Sequence, residues 1–291
     1  MTIINALKEA AKARGVTVRT QTAPVSIVSE GERQFRIKFS TGESGLFHRI
    51  LLASGSAGSG YMLAQIFGHT LESPVPSLFT FNIPDRRLRD LSGISVEKGR
   101  VQIVGTDLEQ KGPILITHWG LSGPAVLKLS AFGARVLYES NYQSPIQVNW
   151  VGLERGQAEE RLRRFKKENP RKTISAHSPF DISQRLWEYL ALACVDAKDT
   201  WAGLSNEQID RLLDALTASR YTTDGKSTFK EEFVTCGGVR LDEVDFTTME
   251  SKKCPGLFFA GEILDIDGVT GGFNFQNAWT TGWLAGRGMA K

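Results

Sequence analysis

Near the C-terminus the chain reads Gly256-Leu-Phe-Phe-Ala-Gly-Glu-Ile-Leu-Asp-Ile-Asp-Gly-Val-Thr-Gly-Gly-Phe-Asn-Phe-Gln276 and then continues into an apolar segment. Leu257 to Ala260 is a short unbroken apolar run, the pattern of a strand buried on both faces. Gly261 ends that run in a tight turn. Gly268, Gly271 and Gly272 lack the Cβ that would hold a bulky group away from the backbone. The residues beyond predict a helix from Asn274 to Arg287, whose free N–H groups and positive dipole end point back at the strand end. Strand, acidic turn, paired glycines and helix N-terminus make a site for an electron-rich group such as a flavin pyrimidine edge or a phosphate.

The usual companion of such a site is absent from the sequence. Dinucleotide binding of this kind opens with a strand and a G-x-G-x-x-G turn into a helix, all within about 30 residues. Here the first residues, Thr2-Ile-Ile-Asn-Ala-Leu-Lys-Glu-Ala-Ala-Lys-Ala-Arg-Gly15, read as a helix and its stop. The cluster Ala53-Ser-Gly-Ser-Ala-Gly-Ser-Gly60 follows a strand and precedes a helix, but it lacks that spacing and the acidic residue expected about 20 positions on. It reads as a loop touching a cofactor held mainly by other parts.

Composition narrows the function classes. The 291 residues suffice for two domains, and 41% apolar with 23% charged residues describes an ordinary globular chain. The net charge of +3 is spread along the sequence, which argues against nucleic-acid or membrane partners. The densest basic run, Arg161-Leu-Arg-Arg-Phe-Lys-Lys167, reads as the solvated face of a helix. Cys194, Cys236 and Cys254 show no C-x-x-C spacing, so neither a zinc site nor a disulfide framework is expected. No apolar run reaches the roughly 18 residues of a membrane span, and no secretory signal is legible, so a cytoplasmic location is expected.

Along the chain, Ile3, Ile4, Leu7, Ala10 and Ala11 share a helical face stopped at Gly15. Val16 to Arg19 resembles a short strand. Val25 and Ile27, then Phe35, Ile37 and Phe39, alternate as two half-buried strands, and Phe47 to Ala53 completes an expected antiparallel meander. Ser59 to Phe67 suits a helix ending at Gly68. From Leu78 to Trp150 short apolar pieces such as Val101–Val104, Ile114–Thr117 and Ile146–Trp150 predict a barrel or sandwich. From Gly156 to Ala218 the period is helical: Asp181 is a candidate cap for a helix carrying Leu186, Trp187, Leu190 and Leu192, and Ser205-Asn-Glu-Gln208 fits a capping box. Strand texture returns around Phe233. The expected organisation is α/β: a discontinuous domain of residues 1–73 and 235–291, interrupted by an insert over 74–234 that is β-rich to 150 and helical over 151–222.

Several segments carry a family likeness: Ile50-Leu-Leu-Ala-Ser-Gly55, Ile116-Thr-His-Trp-Gly-Leu-Ser-Gly-Pro-Ala125, Val234-Thr-Cys-Gly-Gly-Val239, Thr248-Met-Glu-Ser-Lys252 and Gly261 to Gln276. Over almost the whole length the sequence resembles the BaiN/YhiN-type bacterial flavoproteins, the aminoacetone oxidase family of FAD-binding, NAD(P)/FAD-dependent oxidoreductases. The resemblance implies a partial glutathione-reductase-like FAD domain with an inserted β-barrel plus helical domain. It implies hydride transfer through flavin N5 to or from a small organic substrate, with NAD(P)H as a candidate electron donor. Two departures fall on the FAD side: the N-terminal ADP-binding βαβ unit is missing, and the glycine loop after Leu51 is short. Losing three charge-assisted hydrogen bonds to pyrophosphate, each worth about 1.5–3 kcal/mol, would weaken FAD binding by about 10³- to 10⁶-fold. The alternatives are therefore a shortened oxidoreductase, or a non-catalytic remnant or subunit whose partner chain carries the missing unit.

The resemblance also sorts the candidate residues. Gly271, Gly272, Phe273 and Asn274 would set backbone N–H groups at the flavin N1/O2 edge, where negative charge grows on reduction; otherwise the loop merely packs a helix on a sheet. Glu262 stands where related folds bind the ribityl chain, or is a surface carboxylate. Gly261 and Gly55 would abut the cofactor, or are plain turn glycines. Val25 would pair its backbone with the adenine while its side chain joins the core. His118 would donate a proton to substrate, or is structural in its Gly-Pro turn. Asp265 and Asp267 read as turn formers, His48, His69 and His177 as isolated structural residues, and Cys236 as a small core residue.

Overall fold

The computed structural model describes residues 2–225 and 234–291. Helix α1 (Ile3–Ala13) starts where the Thr2 hydroxyl accepts the Asn5 N–H, and it buries none of its residues. Strands β1 (Pro24–Gly31), β2 (Gln34–Phe39) and β3 (Ser44–Phe47) form an antiparallel three-stranded sheet. Val16–Arg19, expected as a strand, joins no sheet among the described residues and is exposed. The meander is real, but its third strand ends at Phe47. The apolar run behind it, β4 (Ile50–Leu52), leaves for another sheet, where it can be covered on both faces. Helix α2 (Gly58–Ile66) follows and gives way at Gly68, whose φ is +82°.

The middle of the chain holds β5 (Leu71–Ser77), β6 (Phe81–Asn82), α3 (Arg86–Arg89), β7 (Ser95–Ile103), β8 (Glu109–Ile116), β9 (Gly120–Ser122), α4 (Pro124–Phe132), α5 (Ala134–Glu139), β10 (Pro145–Asn149), α6 (Arg155–Glu168), α7 (Gln184–Leu192), α8 (Asn206–Thr217) and β11 (Ser219–Thr222). Six strands form one antiparallel sheet in the order β11-β10-β7-β8-β9-β6, curled into a half-barrel. The Asp224 N–H donates to the Asn82 carbonyl at 2.8 Å, so the chain leaving β11 returns to the far edge at β6. The helices bury Trp150, Trp187 and Trp201 completely, the last two stacked 6.1 Å apart. Ser205 and Gln208 exchange both bonds of the capping box. Asp181 does not cap α7: the cap position is Ser183, which makes no side-chain cap bond.

The C-terminal part contains β12 (Val234–Val239), β13 (Val244–Asp245), β14 (Glu250–Ser251), β15 (Leu257–Phe259) and α9 (Phe273–Met289). The strand texture expected around Phe233 lies outside the described residues, and β12 begins next to it. β12 pairs antiparallel with β5. The last sheet runs β13-β14-β15-β4, with β15 and β4 parallel, so segments from both ends of the chain meet in it. Leu257, Phe258 and Phe259 are at most 1% exposed, as a central strand requires. One buried core joins Ile27–Ala64 to Val239–Ala285, and a second spans Phe79–Leu216.

Candidate functional site

Parallel β4 and β15 end side by side, and their ends carry the first two candidates. A Cβ on Gly55 would lie 3.9 Å from Glu262 Oε2, so turn and carboxylate face each other across the strand ends. In an α/β sheet such a crevice is where ligands bind. Gly261 takes φ +77°, and its N–H donates to Thr281 Oγ1 at 2.9 Å, which ties the end of β15 to α9. Glu262 Oε1 accepts the Thr235 N–H at 2.8 Å, so one carboxylate oxygen holds β12 while the other faces Gly55.

The glycine loop closes on itself through Asn274. Its Oδ1 accepts the Gly268 N–H at 2.7 Å and its Nδ2 donates to the Gly268 carbonyl at 2.9 Å. The Asn274 side chain is therefore spent on the loop, and only its backbone N–H remains among the free donors of the first helical turn. Gly271 and Gly272 have φ of +115° and +88°, a region that favours glycine. A Cβ at Gly272 would meet nothing within 4 Å. The loop from Thr270 to Phe273 lies at the surface rather than behind side chains.

Sequence reasoning missed Tyr61. It is buried on α2, and its hydroxyl has no hydrogen-bond partner among the described residues. Burial, with the nearby charges of Glu262 and Asp265, pushes its pKa up to about 12. An orphaned buried hydroxyl beside the Gly55–Glu262 crevice fits a polar ligand atom. Its helical spacing reads only as core, so no sequence signal distinguishes it. Asp267 accepts the Ser77 hydroxyl at 2.8 Å and so joins its turn to β5. Burial raises the Asp265 pKa, opposed by Arg135.

The remaining candidates stand elsewhere. His118 is exposed in the turn between β8 and β9, which Thr117 closes by hydrogen bonds to Gly120. Val25 sits on β1 and is 59% exposed; its side chain is not in the core, because β1 turns only Ile27 inward. Two cavities of about 650 and 600 Å³ lie in the middle segment, one lined by Trp150, Arg161 and Phe180, the other by Arg87, Arg185 and Tyr189. Of their cations, Arg161 lies over the Phe180 ring, Arg87 over the Tyr189 ring, and Arg185 bonds the Asp90 carbonyl.

His69 is structural as expected, but it is not isolated. Nδ1 lies 3.0 Å from Glu243 Oε2 and Nε2 lies 2.7 Å from Ser251 Oγ. The order Ser–His–Glu imitates a hydrolytic triad. Yet Ser251 is 6% exposed, and its oxygen accepts the N–H groups of Lys253 and Cys254 at 3.0 and 2.8 Å. An oxygen so occupied and covered cannot attack a substrate; the trio is a clasp between the β5 approach and β14. Burial lowers the His69 pKa, keeping the ring neutral. Burial alone would raise Glu243, but Lys253 and the Thr70 N–H more than reverse this and hold it at about 2.

Among the described residues no His, Cys, Asp and Glu group is arranged to hold a metal, and no helix is long and apolar enough to cross a membrane. The sequence matches the HI0933-like protein Rossmann domain over residues 1–288. It is 31% identical over 244 residues to a 3-dehydro-bile acid delta(4,6)-reductase of Clostridium scindens, covering 81% of this chain and 59% of the relative. It is 29% identical to a ribosomal RNA dihydrouridine synthase of Haemophilus influenzae and 30% identical to one of Escherichia coli, covering 81% of this chain and 57% of each relative. The chain thus spans under two thirds of the length of the curated relatives it matches. On that match the chain belongs to the HI0933-like family of flavoproteins, the BaiN/YhiN type that its sequence resembles.

Proposed function

We propose that this chain supplies the isoalloxazine side of an FAD site in an oxidoreductase. The observation that carries the reading is the crevice at the ends of β4 and β15, where Gly55, Glu262 and the unpartnered Tyr61 hydroxyl converge beside the tether from Gly261 to α9. FAD, when bound, would supply two-electron hydride chemistry at N5. The backbone N–H groups of Gly272, Phe273 and Asn274 would donate to an electron-rich ring edge, and the helix dipole would favour the negative charge that builds there. Glu262 Oε2 and the Tyr61 hydroxyl would position a polar chain by hydrogen bonding. Gly55 leaves the backbone room to approach. The division into a discontinuous FAD domain, residues 1–73 and 235–291, and an insert over 74–234 belongs to this reading, as do NAD(P)H as electron donor and Val25 as a backbone contact to adenine. The substrate would lie between the two parts, with His118 as the candidate proton donor from the turn between β8 and β9.

A bile acid reductase among the relatives supports a small unsaturated substrate. The two dihydrouridine synthases favour a second reading in which the reduced group is a base of ribosomal RNA. Anaerobic turnover of an enone and of unmodified rRNA fragments separates the two. Cofactor binding itself is tested by titrating FAD with the purified protein and following flavin fluorescence. Saturable quenching that weakens about tenfold or more in Tyr61→Phe, with folding intact, is expected. Colourless protein that leaves flavin fluorescence untouched would remove the reading in favour of a non-catalytic remnant or subunit.

A further inference from the structure

The cavity of about 650 Å³ in the middle segment opens between the start of β7, the turn after β10, α6 and the start of α7. Its walls are fixed by the fold itself. The Asn149 side chain accepts the N–H groups of Val151 and Gly152 at 3.1 and 2.8 Å and donates to the Leu153 carbonyl at 2.8 Å, which pins the turn after β10. Gly152 has φ +65°, and a Cβ there would collide with the Lys98 carbonyl, so this turn lies flush against β7. β7 is itself irregular between Val96 and Gly99, a local break that re-aims side chains.

Val96, Trp150 and Phe180 are buried and give the cavity an apolar, largely aromatic wall. Two neighbours hold Phe180 in place: its ring lies 6.1 Å from that of Trp187, and the Arg161 guanidinium lies over it at 5.3 Å. Contact with a ring face uses none of arginine's five N–H donors. Among the described residues Arg161 makes no ion pair or hydrogen bond, so those donors stay open. The Ser183 hydroxyl lines the same space and is left over, because it makes no cap bond to α7. Charges of both signs stand at the mouth, Lys98 against Glu97 and Asp181, and all three residues are exposed. Such charges act through water and count for little. Arg161 and Ser183 are half-buried, and they decide which head group the cavity takes.

We propose that this cavity binds a small aromatic carboxylate, its ring against Trp150 and Phe180 and its carboxylate on Arg161 and Ser183. The volume lies within the range of about 300–1,000 Å³ usual for small-molecule sites, and a few polar groups on an apolar wall are their usual make-up. Arginine can give a carboxylate two parallel N–H bonds, and the serine hydroxyl adds a third donor. α7 starts at Ser183, so its positive end favours the same sign of charge. Walls held by Asn149, Gly152 and Trp187 leave little to be ordered on binding. No residue of the Gly55–Glu262 crevice lines the cavity, and the inference stands whether or not FAD binds.

The test titrates the whole chain, without FAD, with three probes that share one ring and differ in head group: naphthylacetate, the neutral naphthylacetamide and naphthylethylamine. Calorimetry reads affinity and stoichiometry, and hydrogen exchange reads the place. Expected is one-to-one binding of the acid, roughly tenfold or more tighter than the amide, with the amine weaker than both. New protection should appear at Ser95–Lys98 and Phe180–Leu186. Arg161→Gln should erase the preference for acid over amide and leave the amide's affinity as it was. Should that variant misfold, the wild-type ranking of the three probes and the exchange map still decide the matter. No saturable binding of the acid overturns the proposal, and so does protection confined to other surfaces, such as the exposed rings of α9. An amine that binds as tightly as the acid assigns the head group to Glu97 and Asp181 and overturns it equally, as does an acid preference that survives Arg161→Gln.

Discussion

Replacing Glu243 with Gln keeps the shape of the clasp and removes its charge. In the folded chain this carboxylate accepts from Lys253 Nζ at 2.6 Å and the Thr70 N–H at 2.9 Å, and lies against His69 Nδ1 at 3.0 Å. These contacts lower its pKa from 4.5 to about 2. At about 1.4 kcal/mol per unit, the depression corresponds to about 3 kcal/mol of stability. A depressed carboxylate contributes fully above its unfolded pKa and loses the contribution as pH falls through the folded one. The window therefore runs from about pH 4.5 down to about pH 2. His69 acts in the same direction at higher pH. Its folded pKa lies below 6.5, so as pH drops from there the unfolded chain takes up a proton that the folded chain resists. The wild type should lose stability in two steps on acidification. Glu243→Gln should begin about 2–3 kcal/mol lower at pH 7 and lack the second step. Urea unfolding followed by circular dichroism across the pH series measures both. A variant within about 0.5 kcal/mol of wild type at pH 7, or one that keeps the lower acid step, would refute the clasp as a stabilising ion pair.

Tyr61→Phe should leave the protein without cofactor as stable as before or up to about 1 kcal/mol more so, because it removes a buried hydroxyl with no partner; a clear loss in urea midpoint would show a hidden partner. Gly288→Ala should cost about 1–3 kcal/mol, since the new methyl would sit 2.4 Å from the Thr248 carbonyl and 3.1 Å from the Phe258 ring; an unchanged melting temperature would contradict that packing. Cys236, whose thiol is pushed up to about 11 first by burial and then by Asp267, should react slowly with a disulfide reagent at pH 7–8 and speed up only toward pH 11; labelling at the rate of a free thiol would contradict this.

The sequence alone determined what depends on neighbours a few residues apart. The capping box at Ser205, the stop at Gly68 and the burial of Leu257–Ala260 are short-range matters of hydrogen bonding and hydrophobic period, and each stands in the structure. The family likeness was legible for the same reason, because its motifs are contiguous. Where local pattern failed, a distant partner or its lack was the cause. Val16–Arg19 has strand composition but finds no partner strand among the described residues. Asp181 yields the cap position of α7 to Ser183.

Only the tertiary structure decided how far-apart segments combine. Ile50–Leu52 looks like the end of a meander until β15 claims it as a parallel neighbour. His69 looks alone until Glu243 and Ser251, 174 and 182 residues away, close on it. Asn274 enters the sequence reading only as a backbone donor; that its side-chain amide bonds both backbone polar groups of Gly268 is decided by the fold. Tyr61 reads as core until its hydroxyl proves to lie unpartnered within the field of Glu262 and Asp265. Period and spacing encode which face of an element is apolar; which element covers that face is set by packing summed over the whole chain.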